Sequence, residues 1–281
     1  MTRSAQALEQ ERRWAVPAAV AALIAVALII AAALVGTAIS GDGNAEVLRS
    51  ADGKGSSLMI SGVLQMVGYG LWLVPLLYLF RAAAVRTDKM RGGLLGAVII
   101  SPVLLGVSFL LLSISVLNAA HHFTDQMVGG TMDHMNSLAD DAINDASLRP
   151  LALGLGAAGR LGVAFAMAYT CLYAMRTGLL TRFWGSMGMA VGVAVLLLTP
   201  FFATLWFVYL GFLILGFVPG GRPPAWAAGE AVPWPTPGER MAAELDATDK
   251  SGPAEDQAEG DGWASSDPSG STYRRKRKRR S

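Results

Sequence analysis

Between Pro17 and Ile39 the chain carries no charged residue. At 1.5 Å per residue, about 20 apolar residues cross a hydrocarbon core of roughly 30 Å, so a run of this length predicts a transmembrane helix. The pattern recurs. Apolar segments at about residues 16–39, 58–80, 93–120 and 151–175 each have the length of one span, and polar stretches separate them. The first exceeds the apolar core of a cleavable signal peptide, about 7–15 residues, and reads as a retained span. Before it stands a polar leader, residues 1–15, with Arg3, Arg12 and Arg13. Pro75 and Pro102 fall inside spans and predict kinks, because each lacks the N–H that its helix needs.

The next apolar run, residues 185–219, would stretch about 50 Å as one helix. Pro200 lies near its middle. Two short spans, 182–199 and 201–218, joined by a tight turn fit a bilayer better; one tilted, kinked helix is the alternative. The pattern therefore predicts an all-α membrane protein with six transmembrane helices in a domain over 16–219. Between the third and fourth spans, Met132, Met135, Leu138, Ala139, Ala142, Ile143 and Ala146 recur at spacings of mostly three and four. That periodicity predicts a short amphipathic helix over 131–147. From 220 to 281 no apolar period recurs. The segment starts rich in Pro and Gly, turns acidic, and ends in Arg274, Arg275, Lys276, Arg277, Lys278, Arg279 and Arg280. Such a chain buries too little surface to offset its ordering entropy, which predicts a disordered tail.

Composition agrees. Of 281 residues 53% are hydrophobic and 16% charged, against about 25% charged in soluble domains. The position of the charges adds orientation. Basic residues stand in the leader, after the second span (Arg81, Arg86, Lys89, Arg91) and after the fourth (Arg176, Arg182). The intervening loops hold Arg49, Lys54 and Arg149 against Asp42, Glu46, Asp52, Asp125, Asp133, Asp140, Asp141 and Asp145. Lysine and arginine collect in cytoplasmic loops, so both termini are expected in the cytoplasm. There the basic run would meet anionic lipid headgroups first, at about 1 kcal/mol per residue. Nucleic acid is the lesser alternative partner.

Candidate chemistry is sparse. Arg160 is the one charge well inside a predicted span, where a charge costs at least about 2.5–3.5 kcal/mol and marks a functional hypothesis. Gln65 and Tyr69 are polar candidates on another span. No span interior supplies an acid to pair with Arg160. The competing reading starts the fourth span near Gly156 and lets Arg160 reach the interface. His121, His122 and Asp125 could suit zinc, His121 and Asp125 sharing a helix face. A methionine–histidine copper site fails on angle, because His134 points away from Met132 and Met135 on a helix. The single cysteine, Cys171, excludes an intrachain disulfide and cysteine-based zinc. Gly92 and Gly96, like Gly188 and Gly192, have the spacing of close helix packing, within the chain or in a homo-oligomer. Walker A, HExxH and GxSxG motifs are absent, and no Asp, Glu or His lies in a span to relay protons.

The leading expectation is a non-enzymatic membrane protein without cofactor, acting through helix–helix or lipid contacts. One alternative is a small-solute facilitator, or an anion or headgroup binder, centred on Arg160. The other is a metal-dependent outer loop using His121, His122 and Asp125. The six-span layout, the stretch RTGLLTRFWGSMGMAVGV (residues 176–193) and the following GRPPAWAAGEAVPWPTPGER (221–240) resemble uncharacterised integral membrane proteins of high-GC Gram-positive bacteria. The resemblance covers about residues 16–240. It implies a bacterial plasma membrane and carries no activity.

Overall fold

The computed structural model describes residues 3–90, 92–125, 131–219 and 221–235, with positions 238, 239, 241, 242 and 245 beyond them. Among the described residues there are helices and turns but no strand. In chain order the helices are α1 (Arg3–Gly36), α2 (Asn44–Gly53), α3 (Gly55–Leu71), α4 (Leu73–Arg86), α5 (Leu95–Asp125), α6 (Met132–Asp145), α7 (Arg149–Arg176), α8 (Arg182–Leu197), α9 (Ala203–Leu215) and α10 (Ala225–Ala228). Four stretches of the described residues are long and apolar enough to cross a membrane: Leu8–Gly36, Gly55–Arg86, Gly92–Asp125 and Arg149–Arg176. The polar leader is already helical from Arg3.

The side chains are sorted as lipid requires. On α1 the buried positions are alanines (Ala15, Ala18, Ala19, Ala22, Ala25, Ala32), while Val16, Val20, Ile24 and Leu34 face outward. In water this sorting would leave a large apolar surface exposed. In lipid it lets backbones approach and leaves bulky aliphatics against acyl chains. The long helices pack beside one another in the order α9, α1, α3, α5, α7, α8. Small residues mark the seams: Ser61 on α3 donates to the Ala32 carbonyl on α1 at 2.9 Å. Of the two glycine pairs singled out by spacing, Gly188 and Gly192 pack on α7 beside Cys171 and Met167, whereas Gly96 has open space. The useful pair works within the chain.

Pro75 shapes the centre. It cannot donate to the Leu71 carbonyl four residues back, and the helix is interrupted at Trp72, between α3 and α4. Upstream, α3 packs on α1 and α5; downstream, α4 reaches α7 as well. Trp72 is fully buried at this joint, stacked on Phe207 of α9 at 4.4 Å and edge-on to Tyr69 at 4.9 Å. Tyr69 stacks in turn on Phe109 of α5. Pro102, by contrast, leaves α5 an uninterrupted helix.

The apolar run around Pro200 is two helices rather than one. Leu198 and Thr199 are extended, Pro200–Phe202 make a 3-10 turn, and the Thr199 hydroxyl accepts from Phe201 N. The two arms have different neighbours, α8 packing on α7 and α9 on α1. Gly185 lies against Met175, Gly188 against Cys171 and Gly192 between Ala164 and Ala168. Continued at that pitch, α8 ends level with about residue 161 of α7, some 18 Å short of the helix start at Arg149. The tip residues Leu197, Leu198, Phe201, Phe202 and Leu205 are all exposed and apolar. At the opposite end of α8, Gly178 takes φ of +78°, and Leu179 N returns to the Ala174 carbonyl at 2.8 Å. This left-handed turn ends α7 and suits glycine.

The expected amphipathic helix is α6, and it packs with α2, which periodicity did not predict, on the end of α5. Their small core contains Leu48, Ala51, Phe123, Met135 and Ala139. Asn136 accepts from Ala45 N at 3.1 Å, and Asn44 bonds Asp140. Met135 is buried as expected; Met132, in the first turn, is exposed. A larger correction concerns the tail. Residues 221–235 are ordered, and the packed unit extends through Trp234 rather than ending at 219. The chain from Pro235 onward is a separate unit, and its basic run from Arg274 to Arg280 lies outside the described residues, as does Arg91.

A Cβ on Gly159 would come within 2.6 Å of Leu105 N on α5, whereas one on Gly154 would meet nothing within 4 Å. Gly159→Ala should therefore lower stability by about 1–3 kcal/mol through overpacking. Gly154→Ala in the same helix should not. Thermal unfolding in detergent compares the two, and equal behaviour would refute this packing.

Candidate functional site at the basic end

Because α4 runs through the centre, its last residue, Arg86, ends inside the protein. The side chain is 0% exposed and its partner Glu11, on α1, 13%. Nη1 and Nη2 each donate to one carboxylate oxygen of Glu11, the second at 2.9 Å. Nη1 also donates to the Ala82 carbonyl at 2.7 Å, and Nε and Nη2 to the Ala225 carbonyl at 3.3 and 3.1 Å. Every nitrogen of the fork is occupied, which is the condition for tolerating a buried guanidinium. Trp226 lies against it at 5.8 Å and stacks on Tyr78.

Ala225 and Trp226 belong to the segment once expected to be disordered. That strap runs beneath the α7–α8 turn and donates to its carbonyls. Trp226 Nε1 bonds Leu179 O at 2.9 Å, Val232 N bonds Thr177 O at 3.1 Å, and Trp234 Nε1 bonds Leu180 O at 2.9 Å. Arg222 Nε reaches Leu213 O near the end of α9. Carbonyls at helix ends have no partner inside the helix, so the strap satisfies groups that would otherwise need water.

Beside Trp234 opens a cavity of about 550 Å³, lined by Met175, Arg176, Arg182, Phe183, Ser186 and the strap. Arg182 Nη2 donates to the Trp234 carbonyl at 3.2 Å, which ties one guanidinium to the wall. The Arg176 guanidinium lies over Tyr173 at 5.8 Å. Thr181 caps α8 here, its hydroxyl accepting from Trp184 N at 3.3 Å, so the positive end of that helix dipole faces the same region. Two guanidiniums and a helix N-terminus suit a phosphate; Phe183 and Trp234 suit the boundary between headgroups and acyl chains.

The residues expected from sequence are distributed differently. Arg160 is half-buried, and its Nε is enclosed with no hydrogen-bond partner among the described residues. It stands close enough to Tyr69 to interact electrostatically. Gln65 does not join them; its Nε2 donates to Ser61 at 3.2 Å. Helix α7 starts at Arg149, which puts Arg160 about 16 Å from its end. At the acidic end His121 Nδ1 lies 2.7 Å from Asp52 Oδ1 on α2. His122, Asp125 and His134 are exposed. Among the described residues no three His, Cys, Asp or Glu side chains converge as metal ligands. The trio His121, His122 and Asp125 is thus not gathered, and Asp52 occupies the histidine instead.

Glu11, Trp226 and Trp234 escaped the sequence reading. Two tryptophans within a Pro- and Gly-rich stretch were a usable signal, because disordered segments are poor in aromatics. No family model, curated protein or solved structure matches the chain.

Glu11→Gln leaves the buried Arg86 charge uncompensated and should cost about 3–5 kcal/mol. Glu9→Gln breaks the exposed Arg13–Glu9 pair, whose side chains are 76% and 55% exposed, and should cost at most about 1 kcal/mol. Thermal unfolding of the two variants in detergent measures the contrast.

Proposed function

We propose that the chain is a non-enzymatic, multi-pass protein of a bacterial plasma membrane whose basic end binds the phosphate groups of anionic lipids. The observation that carries this reading is the cavity between α7, α8 and the strap, with Arg176 and Arg182 on its wall. Anionic headgroups are the abundant phosphates at such a depth, and an arginine fork binds them bidentately. The assignment of the bacterial plasma membrane comes from the resemblance of residues 16–240. The second reading, an anion site at Arg160, is favoured by the enclosed, unpartnered Nε.

Orientation follows the charge. The end carrying Arg12, Arg13, Arg81, Lys89, Arg176 and Arg182 faces the cytoplasm, and the acidic α2–α6 layer faces outward. Of the six expected spans, we assign full crossings to the four long ones. The α8–α9 hairpin enters and leaves from the cytoplasmic side, its apolar tip in the acyl chains. Both termini remain cytoplasmic, because a hairpin leaves the parity of crossings unchanged.

Cysteine labelling tests this placement, since the native Cys171 is buried. An impermeant maleimide on intact cells should label Ser137→Cys but neither Thr199→Cys nor Glu230→Cys; Glu230→Cys should react after permeabilisation. Labelling of Thr199→Cys from outside would establish six crossings instead.

For binding, short-chain phosphatidylglycerol titrated into the detergent-solubilised protein should bind more tightly than phosphatidylcholine. Arg176→Gln and Arg182→Gln should each weaken it about fivefold, from about 1 kcal/mol per arginine. Equal affinity for both lipids, measured by calorimetry, would overturn the proposal.

A further inference from the structure

A second cavity at the basic end plays no part in the reading above. It is a groove of about 520 Å³ between α1 and α4. Its floor is apolar, formed by Ala18 from α1 and Leu73, Val74 and Leu77 from α4, and its wet end carries Trp14 and Arg81. On α1 the apolar part of the groove is lined by Ala18, whose small side chain fills little of the volume. Further along the outward face of α1 stand the bulkier Val20 and Ile24.

The charges at its mouth are unbalanced. Glu11 also lines the groove, but Arg86 engages both of its carboxylate oxygens. Arg81 is exposed and has neither a hydrogen bond nor an ion pair among the described residues. An arginine beside an apolar slot, with the nearby acid already neutralised, attracts an anion attached to a hydrocarbon. Trp14, 53% exposed, stands where an indole marks the boundary between chain and headgroup. An extended polypeptide occupant would bring backbone N–H and C=O groups that an apolar floor cannot satisfy, whereas an acyl chain brings none.

We infer that this groove holds an acyl chain of an anionic phospholipid from the adjacent leaflet, with its phosphate on the Arg81 guanidinium. The groove's volume lies within the range of ligand sites, about 300–1,000 Å³. The site is independent of Arg176 and Arg182, and it makes the lipid a bound ligand of α1 and α4 rather than an annular neighbour.

The test is local. The full chain carrying p-benzoylphenylalanine in place of Val85, at the rim of the groove, is reconstituted into nanodiscs of equal phosphatidylglycerol and phosphatidylcholine, irradiated, and its adducts weighed. Phosphatidylglycerol adducts should predominate about fivefold, from about 1 kcal/mol for one arginine. Adding Arg81→Gln should bring the ratio to parity, while Arg176→Gln with Arg182→Gln should leave it unchanged. Leu77→Trp, which fills the floor, should reduce adducts of both lipids. Equal adducts without Arg81→Gln would overturn the inference. A preference that survives Arg81→Gln, or cross-linking chiefly to a second copy of the chain, would also do so.

Discussion

A guanidinium buried inside the protein at the end of α4 has to be neutralised and fully hydrogen-bonded, and that requirement organises the basic end. Pro75 interrupts the helix at Trp72, and α4 then runs among α1, α5 and α7 instead of along the periphery. Arg86, the residue that would otherwise face water at the end of a span, is carried inside. An uncompensated ion there would cost several kcal/mol. Glu11 supplies the charge and Ala225 the remaining acceptor, so the start of α1 and the strap after α9 both close on one side chain. Order in residues 221–235 is a consequence of that need as much as of their own packing.

Elsewhere the protein is held by close approach rather than by burying bulky hydrocarbon. Lipid tails are as apolar as leucine, so little is gained by turning leucine inward. Glycine, alanine and serine instead occupy the seams, as at Gly159 against Leu105 and Gly188 against Cys171. Aromatic side chains fill the wider gaps, notably the stack of Trp72 on Phe207 and of Trp184 on Tyr209 at 3.6 Å. Both basic-end cavities lie beside exposed arginines.

The two ends of the bundle differ in kind. At the acidic end α2 and α6 cover the helix termini with a small core of their own, and His121 pairs with Asp52 at its surface. At the basic end the strap leaves Arg81, Arg176 and Arg182 at the surface. One end is sealed by side-chain packing, the other closed by hydrogen bonds to backbone carbonyls with cations arrayed around them.

The helical membrane class, the four long spans, the break at Pro200 and the amphipathic α6 were legible in the sequence. Each depends on local hydrophobic period or on proline's missing N–H, which neighbours along the chain suffice to express. What depended on tertiary structure was anything decided by a partner distant in sequence. Helix α2 is short, and its apolar positions acquire meaning only beneath α6. The strap has no period at all; its order comes from carbonyls at Thr177, Leu179 and Leu180, some fifty residues earlier in the chain. Arg86 looked like one more interfacial cation until Glu11, seventy-five positions away, stood against it. Arg160 was found from its depth alone, because a charge within an apolar run is conspicuous. Its nearness to Tyr69 depends on how α3 and α7 are rotated about their axes. Hydropathy fixes where a helix lies in the membrane, but packing against its neighbours fixes which way it faces.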